Sequence, residues 1–582
     1  MSESGGVRRP GGHRRGAHRH GPGGHTHAPG ADPGHNHDLP RVPELPDAVD
    51  IYDTTLRDGS QQEGLSLTVD DKLRVAEQLD HLGVAYIEGG WPGANPKDEA
   101  FFRLAPTELR LHTATLVAFG STRRPGVTAS EDETLRHLVA AGTEAVCIVA
   151  KAWDYHVTEA LRTDLDEAVR MAGESVAHLV DHGLRVFFDA EHFFDGYRRN
   201  PGFSMRVIRA AEEAGAETLV LCDTNGGTLP DEVDRVLREV VPATHAEIGV
   251  HFHNDGGCGV ANALTAVRLG ATQVQGCVNG YGERTGNADL CAAIPNLSLK
   301  MGVRTIPTDR MERLTPVAHH IAELVNLAPD PKQPYVGQSA FAHKAGLHTS
   351  AIVRAPDAYE HVPPDSVGNG TRFVVSELSG RSTLQLKAAE LGLDIDGPAL
   401  SDVLERLKHL EHEGFHFEVA DGSLELLMRG AGGWEQPFFA LESFRVSVEQ
   451  RSSGETVTEA TVKLHVDGER VIRTAEGNGP VNALDAALRD AIGSRHPDLA
   501  GVHLTDYKVR VLDTGHGTAA VTRVLLDSTD GERTWSTIGV SENIIDASWQ
   551  ALSDSIVFGL LHAGEDGGTT PTAPTSVDAA SS

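Results

Sequence analysis

The chain has 582 residues, of which 40% are hydrophobic and 23% charged, and its formal net charge is -32 at pH 7. A chain of this length exceeds one hydrophobic core, so we expect a globular protein of two or more domains. The acidic balance argues against a nucleic-acid surface, which needs clustered Lys and Arg, and no apolar run approaches the roughly 18 residues of a membrane span.

Cysteine usage and the N-terminus indicate the compartment. The five cysteines form no CxxC pair and several lie in apolar runs, which favours buried reduced thiols over disulfides. The N-terminus lacks the apolar segment of a signal peptide. We therefore expect a cytoplasmic protein that binds neither nucleic acid nor membrane.

Composition and periodicity divide the chain into five parts. Residues 1–45 are rich in Gly, Pro, Arg and His and have too few large apolar side chains to offset the entropy of ordering, so this tail is predicted to be disordered. Residues 46–305 form the predicted catalytic domain, and residues 306–435 form helical linker subdomains. Residues 436–562 combine period-2 alternation with helical stretches, which predicts an α+β domain. Residues 563–582 are a second disordered tail.

The catalytic domain repeats one pattern, which is an amphipathic helix, a glycine at its C-terminal end and a short apolar run. Each glycine suits the left-handed residue that ends a helix, and each run is rich in β-branched residues, as in a strand buried on both faces. The predicted strands are residues 49–52, 86–88, 109–117, 146–149, 186–188, 219–221, 248–252 and 274–276. Eight βα units predict an α/β fold of the (β/α)8 TIM-barrel type. A doubly wound sheet shares this rhythm and is the main alternative.

Polar residues follow the predicted strands at the end where barrel active sites lie. They are Arg57, Asp58, Trp91, Lys151, Glu191, Thr224, Asn225, His251, His253 and residues 280–287. His251 and His253 are two residues apart, so on a strand both rings lie on one side and can reach one ion together with Asp58. Imidazole and carboxylate ligands without thiolate suit Mn, Mg, Co or a catalytic Zn. A solvated strand end with two incidental histidines is the alternative.

Three motifs resemble the signatures of the DRE-TIM metallolyase superfamily, namely DTTLRDG at residues 53–59, HFHND at 251–255 and GERTGN at 282–287. The resemblance is to the branch of isopropylmalate, homocitrate and citramalate synthases, and it covers nearly all of the chain between the two tails. EGGWPGANPKD at residues 88–98 is similar to the citramalate synthase type.

The reaction implied by this resemblance is a Claisen condensation in isoleucine biosynthesis, in which pyruvate, acetyl-CoA and water give (R)-citramalate and CoA. The enzyme would be an acyltransferase with a bound divalent metal. The implied metal ligands are Asp58, His251, His253 and Asn287, the implied catalytic residues are Arg57, Glu191, His348 and Tyr359, and the implied substrate-binding residues are Arg57, Trp91, Thr224 and Asn225. Arg57 would stabilise the developing alkoxide. Glu88 could hold that arginine in place.

The C-terminal domain is similar to the regulatory domain of these synthases, which implies a homodimer that binds an end-product amino acid, isoleucine, at its interface. The segment SAFAHKAGLH at residues 339–348 is like the linker segment of the family, whose second histidine enters the site, in some members from the partner subunit. The alternatives are a 2-isopropylmalate synthase of leucine biosynthesis, a homocitrate synthase, a C–C lyase and a non-catalytic amino-acid sensor.

Overall fold

The computed structural model describes residues 45–563 except Val353, Pro356, Asp357, Glu377, Leu378 and residues 513–519. The two predicted tails therefore lie outside the described residues, apart from Leu45 and Ala563. None of the described helices combines the length and the hydrophobicity needed to cross a membrane. All five cysteines are reduced and four of them are buried, which confirms the prediction for the thiols.

Eight parallel strands close into a barrel in which β8 pairs with β1. The strands are β1 Asp50–Asp53, β2 Tyr86–Gly90, β3 Thr115–Ser121, β4 Ala145–Lys151, β5 Arg185–Glu191, β6 Thr218–Asp223, β7 Glu247–Phe252 and β8 Gln273–Gly276. The helices are α1 Val69–Leu82, α2 Pro96–Glu108, α3 Glu133–Ala140, α4 Asp154–His156, α5 Leu165–Asp181, α6 Phe193–Arg199, α7 Pro201–Glu213, α8 Pro230–Val240, α9 Gly259–Arg268 and α10 Leu290–Pro295. The closed barrel confirms the (β/α)8 prediction and excludes the open doubly wound sheet.

The first helix shows how the sequence sets the ends of an element. The Thr68 hydroxyl accepts a hydrogen bond from the Asp71 amide, and the Asp71 carboxylate accepts one from the Thr68 amide, so the two residues cap α1 reciprocally. Gly83 then ends α1 at φ +94°, where a Cβ would lie 2.6 Å from Pro307 Cδ. Only glycine fits both this backbone angle and this space.

The third strand begins later than the sequence indicates. Residues 109–117 are predicted as a strand, whereas β3 starts at Thr115. The Asp80 carboxylate explains the difference, because it accepts hydrogen bonds of 2.7–3.0 Å from the backbone amides of residues 112–114. These amides are therefore already paired and do not enter the strand ladder. The strand prediction is wrong over residues 109–114.

A helical segment and an α+β segment follow the barrel. The helical segment contains α11 Leu314–Leu324, β9 Ala342–His343, α12 Gly346–Ile352, β10 Arg372–Phe373, α13 Arg381–Glu390, α14 Gly397–Glu413 and α15 Asp421–Ala431. The α+β segment contains β11 Ala440–Gln450, β12 Thr456–Val466, β13 Glu469–Gly477, α16 Pro480–Ile492, β14 His503–Val511, β15 Thr522–Thr529, β16 Thr534–Ser541 and α17 Ile544–Ala563. Its strands form antiparallel sheets in the orders β11-β12-β13 and β14-β15-β16, against which α16 and α17 pack. The predicted alternation is present, since Val462 and Leu464 of β12 are fully buried.

The helical segment and the C-terminal sheet share a hydrophobic core. Leu384, Leu407 and Met428 of helices α13, α14 and α15 are buried in one cluster with Ile538 of β16. Neighbouring elements are in contact along the whole series α12, α13, α14, α15 and β16. A continuous stack of packed elements thus joins the C-terminal sheet to α12.

Candidate active site

Four side chains at the C-terminal ends of β1, β7 and β8 converge on one point. Asp58 Oδ2 lies 3.1 Å from His251 Nε2 and 3.7 Å from His253 Nε2. Asn287 forms a backbone bridge with His253, and its Nδ2 lies 2.7 Å from Asp58 Oδ2 and 3.4 Å from His251 Nε2. The ligand atoms of the carboxylate and the two imidazoles all lie within 4.8 Å of one another. The fold therefore brings the four predicted metal ligands together.

These four residues fit a divalent cation. All four are buried, and each imidazole directs Nε2 towards the Asp58 carboxylate. Asn287 Oδ1 and His253 Nδ1 have no hydrogen-bond partner among the described residues. The oxygen and nitrogen of an amide are distinguished by assignment only, and a half-turn of the Asn287 amide directs Oδ1 to the shared point. One carboxylate, two imidazoles and one amide oxygen suit Mn, Mg, Co or Zn and leave positions for a substrate.

The electrostatics of this cluster favour a cation. Burial raises the pKa of Asp58, but the Arg57 guanidinium and the hydrogen bond with His251 outweigh burial and hold the pKa well below its usual value. Burial, reinforced by the neighbouring His251, lowers the pKa of His253 to about 4. At neutral pH the carboxylate is therefore ionised and His253 is neutral, and these are the protonation states that bind a metal ion.

Arg57 is held beside the proposed cation site by three partners. Its Nε donates to Glu88 Oε2 at 2.5 Å, its Nη1 lies 3.2 Å from Asp58 Oδ1, and its guanidinium carbon lies 3.8 Å from the centroid of the Phe119 ring. The Tyr52 hydroxyl donates to the other oxygen of Glu88 at 2.9 Å. Burial lowers the pKa of Arg57, but the charges of Glu88 and Asp58 outweigh burial and raise the pKa well above its usual value. Glu88 thus has the contacts of a residue that positions Arg57.

A cavity of about 400 Å³ opens beside these residues. Eight of the candidate residues named from the sequence line this cavity, namely Arg57, Asp58, Trp91, Lys151, Glu191, Thr224, His251 and His253. Glu191 forms an ion pair with Lys151. Trp91 packs edge-on against Phe119, with ring centroids 5.5 Å apart and an interplanar angle of 79°. The cavity is therefore lined by carboxylate, cationic, hydroxyl and aromatic groups.

Four predicted site residues do not line this cavity, namely Asn225, Asn287, His348 and Tyr359. Asn287 belongs instead to the cluster around Asp58. Asn225 is exposed, and its amide donates to the Asp195 carboxylate at 2.8 Å, although the adjacent Thr224 does line the cavity. His348 in α12 stacks on Tyr359 with ring centroids 4.2 Å apart, and 42% of Tyr359 is exposed. The roles of Asn225, His348 and Tyr359, like those of the other site residues, stay predictions.

Sequence reasoning missed two buried polar residues inside the barrel, Gln275 of β8 and Asp189 of β5. Gln275 Oε1 lies 2.9 Å from His251 Nδ1, and Gln275 Nε2 donates to Asp189 Oδ1 at 3.1 Å. A signal was present, because Gln275 is a polar residue within a strand that is predicted to be buried, and Asp189 directly follows another such strand. The two partners are 86 residues apart, and no local pattern pairs them.

Three family models match the chain in succession. The HMGL-like model matches residues 48–315, the homocitrate synthase post-HMGL domain-like model residues 335–414, and the LeuA allosteric (dimerisation) domain model residues 418–559. The (R)-citramalate synthase of Streptomyces coelicolor is 52% identical over 524 residues, which cover 90% of this chain and 98% of that protein. The (R)-citramalate synthase of Aquifex aeolicus is 49% identical over 527 residues, which cover 90% of this chain and 100% of that protein. This chain belongs to the (R)-citramalate synthase family.

A more distant relative gives a contrast. A protein of Methanopyrus kandleri described as a probable 2-isopropylmalate synthase is 33% identical over 513 residues, which cover 87% of this chain and 97% of that protein. The chain is thus more similar to the two members of the (R)-citramalate synthase family than to this relative. Membership in the (R)-citramalate synthase family confirms the predicted family, the barrel with an appended regulatory domain and the acyltransferase class.

Proposed function

We propose that this chain is an (R)-citramalate synthase, which condenses acetyl-CoA with pyruvate and hydrolyses the thioester to give (R)-citramalate and CoA for isoleucine biosynthesis. Identity of 52% and 49% to two (R)-citramalate synthases over 90% of the chain carries this proposal. The site supports it, because the buried cluster around Asp58 lies next to the charged Arg57 and opens into a small cavity. An α-oxo acid presents a carboxylate and a ketone oxygen. A divalent cation in the cluster around Asp58 and the guanidinium of Arg57 would together bind these oxygens.

The proposed metal ligands are Asp58, His251, His253 and Asn287. A divalent cation held by these residues would supply Lewis acidity to the bound oxo acid. Arg57 provides fixed positive charge beside the same point, so it stabilises the ketone oxygen as that oxygen becomes an alkoxide. Glu88 and Phe119 hold the guanidinium before the reaction begins, and therefore little reorganisation is needed in the transition state.

The carbon nucleophile comes from acetyl-CoA. A base takes a proton from the acetyl methyl group, the methyl carbon forms a bond to the ketone carbon of pyruvate, and the resulting alkoxide takes up a proton. The hydroxyl of a water molecule then adds to the thioester carbon, the C–S bond breaks, and CoA leaves as the thiol. We assign the base to Glu191, because its carboxylate lines the cavity and its ion pair with Lys151 fixes its position. Trp91 and Thr224 line the same cavity. We propose that Trp91 limits the space available to the pyruvate methyl group and that Thr224 forms a hydrogen bond with pyruvate.

The candidate enzymes differ in the oxo acid that they condense with acetyl-CoA, so activity with three oxo acids distinguishes them. Full-length enzyme with Mn²⁺ and acetyl-CoA is given pyruvate, 2-oxoisovalerate or 2-oxoglutarate, and the released thiol is titrated. We expect the highest kcat/KM with pyruvate, since each extra methylene in a tight pocket changes binding by roughly 1 to 3 kcal/mol and both other oxo acids carry a larger side chain than the methyl group of pyruvate. Preference for 2-oxoisovalerate would indicate a 2-isopropylmalate synthase, and preference for 2-oxoglutarate a homocitrate synthase. No turnover with any of the three would favour a non-catalytic sensor.

We further propose a homodimer formed through the C-terminal sheets. Strands β11 and β14 lie at sheet edges, and most of their residues are exposed. Apolar side chains lie among them, including Val448 with 56% and Val511 with 48% of its surface exposed. Long exposed edge strands with apolar side chains are normally covered. Residues 418–559 match the LeuA allosteric (dimerisation) domain, which supports a second copy of this chain as the cover.

The same match supports isoleucine as an allosteric effector, since isoleucine is the end product of the proposed pathway. We expect millimolar isoleucine to lower the rate of full-length enzyme with pyruvate and acetyl-CoA, and leucine at the same concentration to leave the rate nearly unchanged. Initial rates at several isoleucine concentrations check this prediction. An enzyme that is indifferent to isoleucine would remove the effector from the proposal without affecting the assigned reaction.

A further inference from the structure

Gln275 lies beside one of the proposed metal ligands. Strands β7 and β8 are neighbours, and their register places Gln275 directly across from His251. Gln275 Oε1 lies 2.9 Å from His251 Nδ1. Only 1% of Gln275 and 5% of His251 is exposed, so water does not compete for this hydrogen bond and its strength is close to that in a low-dielectric interior.

Asp189 determines which way the Gln275 amide points. Asp189 Oδ1 lies 3.1 Å from Gln275 Nε2, and a carboxylate only accepts hydrogen bonds. The amide nitrogen therefore faces Asp189, and the amide oxygen faces His251. Because that oxygen also only accepts, His251 Nδ1 carries the ring proton. In the neutral ring, which is the form that binds a metal ion, His251 Nε2 then keeps its lone pair, and this nitrogen lies 3.1 Å from Asp58 Oδ2.

We infer that Gln275 and Asp189 are positioning residues that hold His251 in the tautomer and orientation of a metal ligand, an inference that rests on the proposed cation site. Ligating histidines usually donate their second ring N–H to such a partner, and loss of the partner lowers metal affinity about 10- to 100-fold. His253 has no equivalent support among the described residues, because its Nδ1 lacks a hydrogen-bond partner. His251 is therefore the preorganised histidine of the pair.

Gln273 provides a matched control on the same strand. It lies two residues before Gln275 on β8, so its side chain projects from the same face. Like Gln275, it is only 1% exposed. Its Oε1 has no hydrogen-bond partner in the described part of the chain. A Gln273→Leu change thus removes the same atoms from the same strand but leaves the contact between Gln275 and His251 in place.

Mn²⁺ binding to the full-length apoenzyme tests the inference through calorimetric titration, which does not depend on activity. We expect Gln275→Leu to raise the Kd for Mn²⁺ about 10- to 100-fold. Gln273→Leu is expected to leave the Kd unchanged, and His251→Ala to weaken binding at least as much as Gln275→Leu. Circular dichroism and thermal melting of each variant identify any protein that has not folded.

Exchanging the side chains of Asp189 and Gln275 distinguishes an effect of their hydrogen bonds from an effect of packing. Asp189→Asn combined with Gln275→Glu swaps the carboxylate and the amide, so the new carboxylate still accepts from His251 Nδ1 and from the new amide. We expect this double variant to bind Mn²⁺ more tightly than Gln275→Leu, because both hydrogen bonds are retained. Affinity no better than that of Gln275→Leu would contradict a role through these bonds, and this comparison remains decisive where Gln275→Leu fails to fold.

The variants distinguish failure of the inference from failure of the cation site. Unchanged affinity in Gln275→Leu, with weakened binding in His251→Ala, overturns the inference and leaves the cation site standing. Unchanged affinity in both variants overturns the cation site and the inference together. Equal losses of Mn²⁺ affinity in Gln275→Leu and Gln273→Leu also overturn the inference, because any substitution of a buried residue on β8 would then weaken Mn²⁺ binding.

Discussion

Replacing Arg57 by lysine is expected to lower kcat with pyruvate and acetyl-CoA by roughly 10²- to 10³-fold, the usual cost of losing one donor that stabilises a developing oxyanion. Lysine keeps the charge but loses the planar fork of the guanidinium. Arg57 uses that fork fully, because Nε bonds to Glu88 at 2.5 Å, Nη1 lies 3.2 Å from Asp58 Oδ1 and the guanidinium lies over the Phe119 ring. A single ammonium group does not make these contacts together. Steady-state thiol release measures the effect.

Arg124→Lys is the control for this substitution. Arg124 lines the same cavity, but 60% of its side chain is exposed and its partner is Asp132, at 3.3 Å from Nε. We expect the kcat of Arg124→Lys to stay close to that of the wild type. A near wild-type kcat for Arg57→Lys would contradict the proposed role of Arg57. The melting temperature of each variant shows whether the loss is one of catalysis or of folding.

Heterodimers that pair an Arg57→Lys subunit with a His348→Ala subunit are expected to recover about half of the wild-type activity, since a symmetric dimer has two equivalent sites. His348 does not line the cavity of its own chain, and the family resemblance allows it to enter from the partner subunit. One site of the heterodimer then combines an intact Arg57 with an intact His348. Each homodimeric variant is expected to be nearly inactive, so the recovery is large.

Co-expression of the two subunits with different affinity tags gives pure heterodimers for this measurement. The control pairs Arg57→Lys with Glu191→Gln, because both residues line the same cavity and each site of that heterodimer keeps one defect. We expect no recovery in the control. If the pair of Arg57→Lys and His348→Ala also stays inactive, His348 does not act across the dimer.

The barrel and the convergence of the proposed metal ligands could be predicted from the sequence because their signals are local. Each predicted strand carries its own apolar run, and five of the eight strands follow a glycine that ends a helix. These glycines have the expected left-handed conformation, namely Gly83, Gly142, Gly183, Gly215 and Gly270. Asp58 and the pair of His251 and His253 follow or end strands, and closure of the barrel brings the ends of β1, β7 and β8 together. A periodic pattern plus one topological rule was therefore enough to place these ligands on one rim.

The other features of the fold and of the site depend on which side chains are in contact in the folded protein, and a local sequence pattern does not contain that information. The start of β3 is set by Asp80, which lies 32 residues before His112. Thr224 and Asn225 are adjacent, yet only the first lines the cavity. The contact between Gln275 and His251 could not be foreseen either, because a pattern gives the position of a residue on its strand and not the group that it meets on the next strand.

The stack of packed elements from β16 to α12 has a consequence for regulation, because α12 carries His348. Closely packed cores are nearly incompressible, so an effector that shifts β16 either displaces α12 or breaks the shared core. The proposed metal ligands Asp58, His251 and Asn287 belong instead to the barrel rim, outside this stack. An enzyme inhibited in this way would therefore keep the proposed cation site and the pyruvate pocket intact, and would lose only the predicted contribution of His348. Inhibition would then consist of moving His348 away from the active site while the metal-binding and substrate-binding residues keep their positions.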